Sequence, residues 1–252
     1  MLRSISDLRG CKIQAADGYA GSVEDILFDD ASWIVRYLIV DTGNWLPGRK
    51  VLISPFSIDT HRQINGLSAL ITRQQIEDSP NIDTDKPVSR QHEADYLSYY
   101  GIPYYWSLPA PWGASGHPDR TTSAAGSPTT SAAKPIEQRD PHLRSSTEVI
   151  GYYIEATDGE MGHVEDFLID NKDWTIRYIV VDTVNWWLGK KVLVAPDWLE
   201  RVSWEESKVY VNLAREKIKS APDYDASLLI SRKYEDELYD HYDRRKYWKA
   251  NR

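Results

Sequence analysis

Hydrophobic and polar positions follow a strand-like pattern through the first third of the chain. Residues 12–15 predict a short strand, and residues 21–29 predict a longer one because their side chains alternate between two faces. Residues 34–42 are apolar at nearly every position, which is typical of a central strand covered on both faces. Residues 50–54 predict another strand that ends at Pro55, because proline has no N–H for a central ladder. The pattern therefore predicts a β-rich module.

Weaker strand signals at residues 58–61 and 67–71 are followed by helical ones. Thr72 and Gln75 fit a capping box, in which each side chain bonds the backbone amide of the other residue. A short helix is therefore predicted after Thr72, and a second helix is predicted after Ser89. Each strand region thus ends in a short helical extension.

The whole pattern occurs twice along the chain. At an offset of 141 residues, residues 17–55 and 158–196 are identical at 21 of 39 positions. The match resumes at an offset of 142 near residue 76 and continues to Trp106 and Trp248. Solenoid repeats span about 20–50 residues, so a period this long indicates duplicated domains instead. The chain is therefore predicted to be one module used twice.

A segment without hydrophobic periodicity separates the two copies. It is rich in Pro, Gly, Ser, Thr and Ala, and it cannot bury enough apolar surface to offset its ordering entropy. We therefore expect a flexible tether there and a pseudo-two-fold pair of modules, as in a homodimer of single modules. The predicted domains are barrel 1 at residues 1–80, helical and aromatic extension 1 at 81–106, the tether at 107–146, barrel 2 at 147–222 and extension 2 at 223–252.

Three sequence motifs mark the strand region: Asp17-Gly18-x-x-Gly21-x-Val23-x-Asp25-x-Leu27-x-Asp29, Trp33-x-x-Arg36-Tyr37-x-x-Val40-Asp41-Thr42 and Lys50-Val51-Leu52-Ile53-Ser54-Pro55. The second copy repeats the first two motifs and carries the third as Lys191-Val192-Leu193-Val194-Ala195-Pro196. These motifs resemble those of the PRC-barrel family. The resemblance implies a mainly β fold with two small PRC-type β-barrels, each followed by short C-terminal helices. The aromatic end of each extension is similar to the tail of a bacterial subgroup of that family.

The same resemblance implies non-catalytic roles. The family includes the cytoplasmic domain of the photosynthetic reaction-centre H subunit and the C-terminal domain of a ribosome maturation factor. Both members dock on other macromolecules, so the resemblance favours a scaffold linked to the assembly of photosynthetic or electron-transfer complexes. Fold alone does not fix function, because one fold supports many sites.

Composition and charge narrow the class of protein. The 252 residues are 41% hydrophobic and carry a net charge of −8, which disfavours binding to nucleic-acid phosphates. Cys11 is the single cysteine, so no intramolecular disulfide can form. No secretory leader or apolar run of about 20 residues is present. We therefore expect a cytoplasmic protein. The sequence leaves open whether a partner holds it at the periphery of a membrane.

Known catalytic motifs are missing from the sequence. It contains no nucleophile elbow, no His-Glu-x-x-His, no Cys-x-x-Cys and no phosphate-binding glycine loop. No histidine has a histidine opposite it in the other copy, so a duplicated metal or acid–base site is excluded. His163 and Glu165 share one strand face but would need a further ligand to hold Zn²⁺. We therefore expect neither an enzyme nor a cofactor.

In each copy, one pair of aspartates lies four residues apart on one strand face. This spacing is about 13 Å, beyond the reach of a hydrolytic carboxylate pair. We expect the aspartates to bond turn amides or to pair with an arginine on the neighbouring strand. The structural ion-pair candidates are Asp25, Asp29 and Arg36 in the first copy and Asp166, Asp170 and Arg177 in the second.

Aromatic and cationic side chains coincide at two places in each copy. They occur at the turn after the central strand and at the end of the helical extension. Such combinations are enriched in protein-binding hot spots, although the tryptophans could also cover the end of their own barrel. The interaction candidates are Trp45, Arg49, Lys50, Trp186, Trp187, Lys190 and Lys191 at the turns, and Tyr105, Trp106, Tyr247 and Trp248 at the ends.

Three functions follow from these observations. The leading hypothesis is a non-enzymatic scaffold that binds a protein partner of unknown identity, either as an intramolecular pseudo-dimer or as a homo-oligomer. The first alternative is a ribosome- or RNA-associated maturation factor. The second is a sensor of a small ligand or metal in a cleft between the barrels.

Overall fold

The computed structural model describes residues 1–59, 66–80, 88–107, 142–183 and 190–249. Trp186, Trp187 and most of the predicted tether lie outside the described residues. The described chain divides into two compact units. The first contains Met1, Ile5–Thr147 and Asp170–Thr175, and the second contains Leu2–Ser4, Glu148–Ile169 and Ile176–Arg252.

The first unit is built on a mixed sheet with the strand order β5-β4-β3-β2-β7-β6, and β8 pairs with β3 beside this path. All pairs are antiparallel except β2 with β7. Its strands are β2 (Lys12–Ala15), β3 (Gly18–Asp29), β4 (Ile34–Asp41), β5 (Lys50–Ile53), β6 (Ile58–Asp59), β7 (Leu67–Ala69) and β8 (Leu143–Ser145). Its helices are α1 (Ile5–Leu8), α2 (Arg73–Glu77) and α3 (Arg90–Tyr99).

The long strand β3 carries the centre of this sheet. It pairs with β4 from Ser22 to Asp29, and the ladder is interrupted by two register shifts. Gly21 stands at φ +141°, where an added Cβ would lie 2.2 Å from the carbonyl oxygen of Asp41. Only glycine tolerates both this backbone angle and this close approach. The glycine of the sequence motif therefore permits the contact between β3 and β4.

Strand β8 comes from the second half of the chain and completes the first unit. Ser145 and Ser146 donate their hydroxyl hydrogens to the carboxylate of Asp25, as does Thr147. The Asp25 carboxylate also accepts from the Thr147 amide at the start of helix α4 (Ser146–Val149), where a negative charge is favourable. Asp25 thus anchors a strand and a helix start.

The second unit repeats this order as β12-β11-β10-β9-β14-β13, and β1 pairs with β10 beside the path. Here β14 and β9 form the parallel pair. Its strands are β1 (Leu2–Ser4), β9 (Tyr153–Ala156), β10 (Gly159–Asp170), β11 (Ile176–Asp182), β12 (Lys191–Val194), β13 (Leu199–Ser203) and β14 (Lys208–Val211). Its helices are α5 (Arg215–Lys219) and α6 (Arg232–His241).

Strand β1 occupies the same place in the second sheet as β8 occupies in the first, because it pairs with β10 as β8 pairs with β3. Ser4 donates its hydroxyl hydrogen to Asp166, as Ser145 does to Asp25. Each unit therefore takes one strand from the other half of the chain. The predicted tether at residues 107–146 includes β8, and the structure places β1 in the second unit and β8 in the first.

The predicted mainly β fold and its duplication are confirmed, but the prediction that each sheet closes into a barrel is wrong. In the described part of each sheet the hydrogen-bonded path is open, with β5 and β6 as its unpaired ends in the first unit. The chain passes from β5 to β6 through a 3₁₀ turn at Pro55–Ser57, in which Pro55 has no N–H to continue a ladder. Pro196 begins the equivalent turn in the second unit.

The helices follow the predicted signals. The capping box of Thr72 and Gln75 is present at the start of α2, and Ser89 caps α3 with its side chain. Leu238 and Tyr242 of the second extension are buried. None of the helices in the described part of the chain has the length and apolar character needed to cross a bilayer.

Candidate functional site: a buried glutamate and its aromatic tail

A fully buried carboxylate joins helix, sheet and tail in the first unit. Glu93 of α3 is 0% exposed. It accepts a hydrogen bond from the Tyr37 hydroxyl of β4 at 3.2 Å and one from the Tyr105 hydroxyl of the tail at 2.6 Å. Arg90, one turn earlier on the helix, lies 3.3 Å from the carboxylate. A buried charge needs such partners, and Glu93 obtains them from three parts of the unit.

The second unit contains the same arrangement. Glu235 of α6 is 4% exposed and accepts from the Tyr178 hydroxyl at 2.8 Å and the Tyr247 hydroxyl at 3.0 Å. Arg232 lies 2.9 Å from the carboxylate. We call these two sets of residues the glutamate clusters: Tyr37, Arg90, Glu93 and Tyr105, and Tyr178, Arg232, Glu235 and Tyr247.

An arginine of the central strand packs on each tail tyrosine. The Arg36 guanidinium carbon lies 3.8 Å from the centroid of the Tyr105 ring, and the Arg177 carbon lies 4.5 Å from that of Tyr247. A cation over an aromatic face is attracted by the ring quadrupole. Each tail is therefore fixed to its own sheet at its hydroxyl and at its ring face.

Burial controls the protonation of these tyrosines. Burial raises the pKa of Tyr37 well above its ordinary value, and the negative charge of Glu93 raises it further. Burial also raises the pKa of Tyr105 and Tyr178. Burial lowers the pKa of Arg36, which the nearby tyrosines and carboxylates partly offset. The hydroxyls therefore remain neutral donors at physiological pH, which suits them to hold a structure.

The first unit has one further titratable member. The Nε2 atom of His142 lies 2.8 Å from Glu93 Oε1 and 3.0 Å from the Tyr105 hydroxyl oxygen. At the offset of 141, Met1 occupies the corresponding sequence position in the other copy. The two glutamate clusters therefore differ in the presence of a histidine.

The aromatic tail presents a stacked surface next to the first glutamate cluster. Trp106 is 38% exposed and stacks on Tyr104, with ring centroids 4.9 Å apart and planes 8° from parallel. Arg90 lies 4.3 Å from the Trp106 ring centroid, and Arg232 lies at the same distance from Trp248. Each unit thus presents a tryptophan that an arginine holds in place.

The turn candidates of the first unit fold back onto their own module. The indole N–H of Trp45 donates to the Ala20 carbonyl at 2.9 Å, and Arg73 covers its ring at 4.4 Å. Arg49 donates to the carbonyl oxygens of Glu77 and Ser79 at the end of α2. Lys50 pairs with Glu24 at 2.7 Å. The interaction role of this turn stays a prediction.

The cations of the second turn have similar partners. The Lys190 ammonium donates to the carbonyl oxygens of Lys219 and Ala221 and lies 2.6 Å from Asp223. Lys191 pairs with Glu165. Trp186 and Trp187, the aromatic part of this turn, lie outside the described residues.

The strand aspartates bond amides and hydroxyls. Asp29 accepts from the amides of Ala31 and Ser32, and Asp170 accepts from the Lys172 amide at 3.1 Å. The Arg36 guanidinium donates to the Ser32 hydroxyl at 3.2 Å in the same turn. These bonds match the turn-amide interpretation of Asp29 and Asp170.

His163 and Glu165 lie on β10, as the sequence pattern predicts. Glu165 is engaged by Lys191, which a metal ion would have to displace. In the residues that the structure describes, no three His, Cys, Asp or Glu side chains are grouped as a cation site requires.

Sequence reasoning did not single out Glu93, Glu235, Tyr37 or Tyr178. A signal for them was present, because every polar member of the glutamate clusters is identical between the two copies. A glutamate on a helix is normally solvated, so composition alone places it outside. Its identity in both copies, together with tyrosines in the strand and tail, is the observation that could have identified the clusters.

Comparison with known proteins finds a family match for the first copy. Residues 2–64 match the model of the PRC-barrel domain family. No curated protein matches the chain. The matched segment covers β1 to β6 of the first copy, and the second copy repeats its sequence and its strand order. Residues 2–64 are therefore similar to the PRC-barrel domain, and the second copy repeats their strand order.

Proposed function

We propose that this chain is a non-enzymatic protein-interaction module that helps to assemble a larger complex in the cytoplasm. Its contact surfaces are the aromatic tails, formed by Tyr104, Trp106 and Arg90 in the first unit and by Trp248 and Arg232 in the second. The observation that supports this proposal is the part-exposed Trp106, held between an arginine and a tyrosine beside a buried polar cluster.

Preorganisation makes such a surface suitable for binding. Tryptophan, tyrosine and arginine dominate interface hot spots because they bury a large area with few rotatable bonds. The glutamate cluster fixes the backbone of the tail before a partner arrives, so less conformational entropy is lost on association. The buried hydrogen bonds of Glu93 offset the conformational entropy that the tail loses when it is held rigid.

Charge favours a protein over a nucleic acid as the partner. Arg90 and Arg232 are the cations of the two surfaces, and each already faces a buried glutamate. The chain carries a net charge of −8, so attraction to phosphates is weak.

Substitution of the tail tryptophans tests the proposal. Trp106→Ala, Trp248→Ala and the double variant are compared with the wild type by quantitative affinity capture from native lysate. Tyr19→Ala and Tyr153→Ala are matched controls, because these tyrosines are 44% and 48% exposed on the sheets. We expect the double variant to lose its specific partners and both controls to retain them. Equal recovery with the double variant would contradict the proposal.

A further inference from the structure

The two aromatic tails differ in charge although their sequences align. At the offset of 142, Tyr105-Trp106 of the first tail matches Tyr247-Trp248 of the second. At each of the other four positions between residues 102 and 107, the first tail has an uncharged residue and the second tail has a cation. The aligned pairs are Ile102 and Arg244, Pro103 and Arg245, Tyr104 and Lys246, and Ser107 and Lys249. The second tail therefore concentrates positive charge on a chain whose net charge is −8.

Two of these cations attach the tail to its own unit. The Lys246 ammonium lies 2.7 Å from Asp236 and 2.9 Å from Asp240, and both carboxylates belong to α6. The Arg244 guanidinium donates to the Asn212 carbonyl oxygen at 3.3 Å. Both side chains are therefore already engaged within the second unit.

The other two cations, Arg245 and Lys249, face solvent. Both are exposed, and neither forms an ion pair with a residue that the structure describes. Arg245 comes three residues before Trp248 and Lys249 directly follows it, in the 3₁₀ turn Tyr247–Lys249. Arg232 holds the Trp248 ring, with its guanidinium carbon 4.3 Å from the ring centroid. The second tail thus offers a fixed aromatic ring with two unpaired cations beside it.

The surrounding charge distinguishes between anionic partners. A nucleic acid or a lipid surface presents many phosphates, and it binds where many cations are clustered. Helix α6, which precedes the second tail, carries the carboxylates of Asp236, Glu237 and Asp240. An extended array of phosphates would meet these carboxylates. A short peptide can instead place two acidic side chains on the two unpaired cations alone.

We propose that the second tail binds a short acidic peptide segment, which places an apolar side chain against Trp248 and its carboxylates on Arg245 and Lys249. The first tail lacks these two cations, and it binds an uncharged surface. This inference rests on the proposed binding role of the tails and adds the chemistry of each partner. The chain is then an adaptor that joins two different partners, because its duplicated tails have become two different sites.

Selection from a library of short random peptides tests the inference. Phage that display the peptides are selected on the immobilised full-length protein, and the affinity of each enriched peptide is then measured in solution. The matched control is Lys233→Glu, because the Lys233 side chain is an 86% exposed cation of the same unit outside the tail. The proteins compared with the wild type are this control, Trp106→Ala, Trp248→Ala and the charge reversal Arg245→Glu/Lys249→Glu.

We expect the peptides that require Trp248 to be acidic and to bind roughly five-fold more weakly to the charge reversal, with no loss in Lys233→Glu. Peptides that require Trp106 should be uncharged and should bind the charge reversal normally. If the Trp248-dependent peptides carry no acidic residues, the inference is overturned while the binding role of the tails stands. If no enriched peptide depends on either tryptophan, both proposals fail.

Two other anions complete the test. An oligothymidylate single strand and phosphatidylglycerol vesicles are titrated into the same proteins. We expect neither to bind as tightly as the acidic peptides. Tighter binding of either one, lost in Arg245→Glu/Lys249→Glu, would overturn the assignment of an acidic peptide to this site.

Discussion

Replacing Glu93 by alanine is the most direct test of the glutamate clusters. The substitution removes the shared acceptor of Tyr37 and Tyr105 and the ion-pair partner of Arg90, but it leaves helix α3 with a residue of high helix propensity. The expected effect is therefore a loss of tertiary contacts between helix, sheet and tail, without a loss of local helix stability.

The expected magnitude follows from the partners of Glu93. The Tyr37 hydroxyl lies in a fully buried side chain, so leaving it without its acceptor costs about 1–3 kcal/mol. The hydrogen bond from Tyr105 to a carboxylate is worth about 1.5–3 kcal/mol, of which His142 can restore a part. Relief of the desolvation of Glu93 offsets some of this loss. We expect Glu93→Ala to lower the free energy of unfolding of the first unit by about 3–5 kcal/mol.

Urea unfolding followed by tyrosine and tryptophan fluorescence measures this loss. Asp95→Ala is the matched control, because Asp95 is an exposed carboxylate on the same helix and accepts a hydrogen bond from the Gln91 side chain. It should change stability by no more than about 0.5 kcal/mol. In a double-mutant cycle, Tyr37→Phe should cost less in the Glu93→Ala background, with a coupling of about 1–2 kcal/mol.

Two results would refute this reasoning. If Glu93→Ala cost no more than Asp95→Ala, the buried carboxylate would contribute nothing to the attachment of the tail. If Tyr37→Phe had the same cost in both backgrounds, the hydroxyl and the carboxylate would not interact energetically. Glu235→Ala provides the repeat of the experiment in the second unit.

Three further predictions concern backbone, pH and chain division. Gly21→Ala should destabilise the first unit by about 2–5 kcal/mol in urea unfolding, because it adds overpacking to backbone strain. Gly10→Ala, at φ +77° with no atom near its Cβ, should cost only about 1–2 kcal/mol. Equal costs for the two variants would exclude the steric explanation. Burial raises the pKa of Tyr100 to about 12, so the stabilisation of the folded state by its neutral hydroxyl is complete below about pH 10. Above that pH the unfolded tyrosine ionises, and this stabilisation is lost at about 1.4 kcal/mol per pH unit. In urea titrations from pH 8 to 11.5, the free energy of unfolding should fall less steeply for Tyr100→Phe than for the wild type, and identical slopes would contradict this. Fragments 1–107 and 142–252 should each lack native NMR dispersion and recover it on mixing, because each lacks one strand of its unit; a fully folded single fragment would disagree.

The strands were predictable from their patterns of apolar side chains. Residues 34–42 are apolar at nearly every position, and β4 is buried at all positions from Ile34 to Val40. Thr72 and Gln75 identified a helix start, since capping depends on residues close in sequence. Features of this kind can be predicted from a single sequence because they depend on residues close together along the chain.

The placement of β1 and β8 was not predictable in the same way. A side-chain pattern shows which face of a strand is buried, but it does not show which sheet receives the strand. The surface that Trp45 contacts was also not predictable, because an aromatic residue at a turn can cover its own module or a partner. The structure provides the missing contact, the hydrogen bond from its indole to Ala20.

The exchanged strands also set an order of events during synthesis on the ribosome. Leu2–Ser4 leave the ribosome first, yet their partner β10 ends at Asp170. At about 5–20 residues per second this interval is on the order of ten to thirty seconds. The first unit must likewise wait for residues 143–147 before its sheet is complete. From the synthesis of β7 to that of β8, nascent chains of this protein therefore have an unfilled place in the first sheet, and chaperones have that interval in which to bind it.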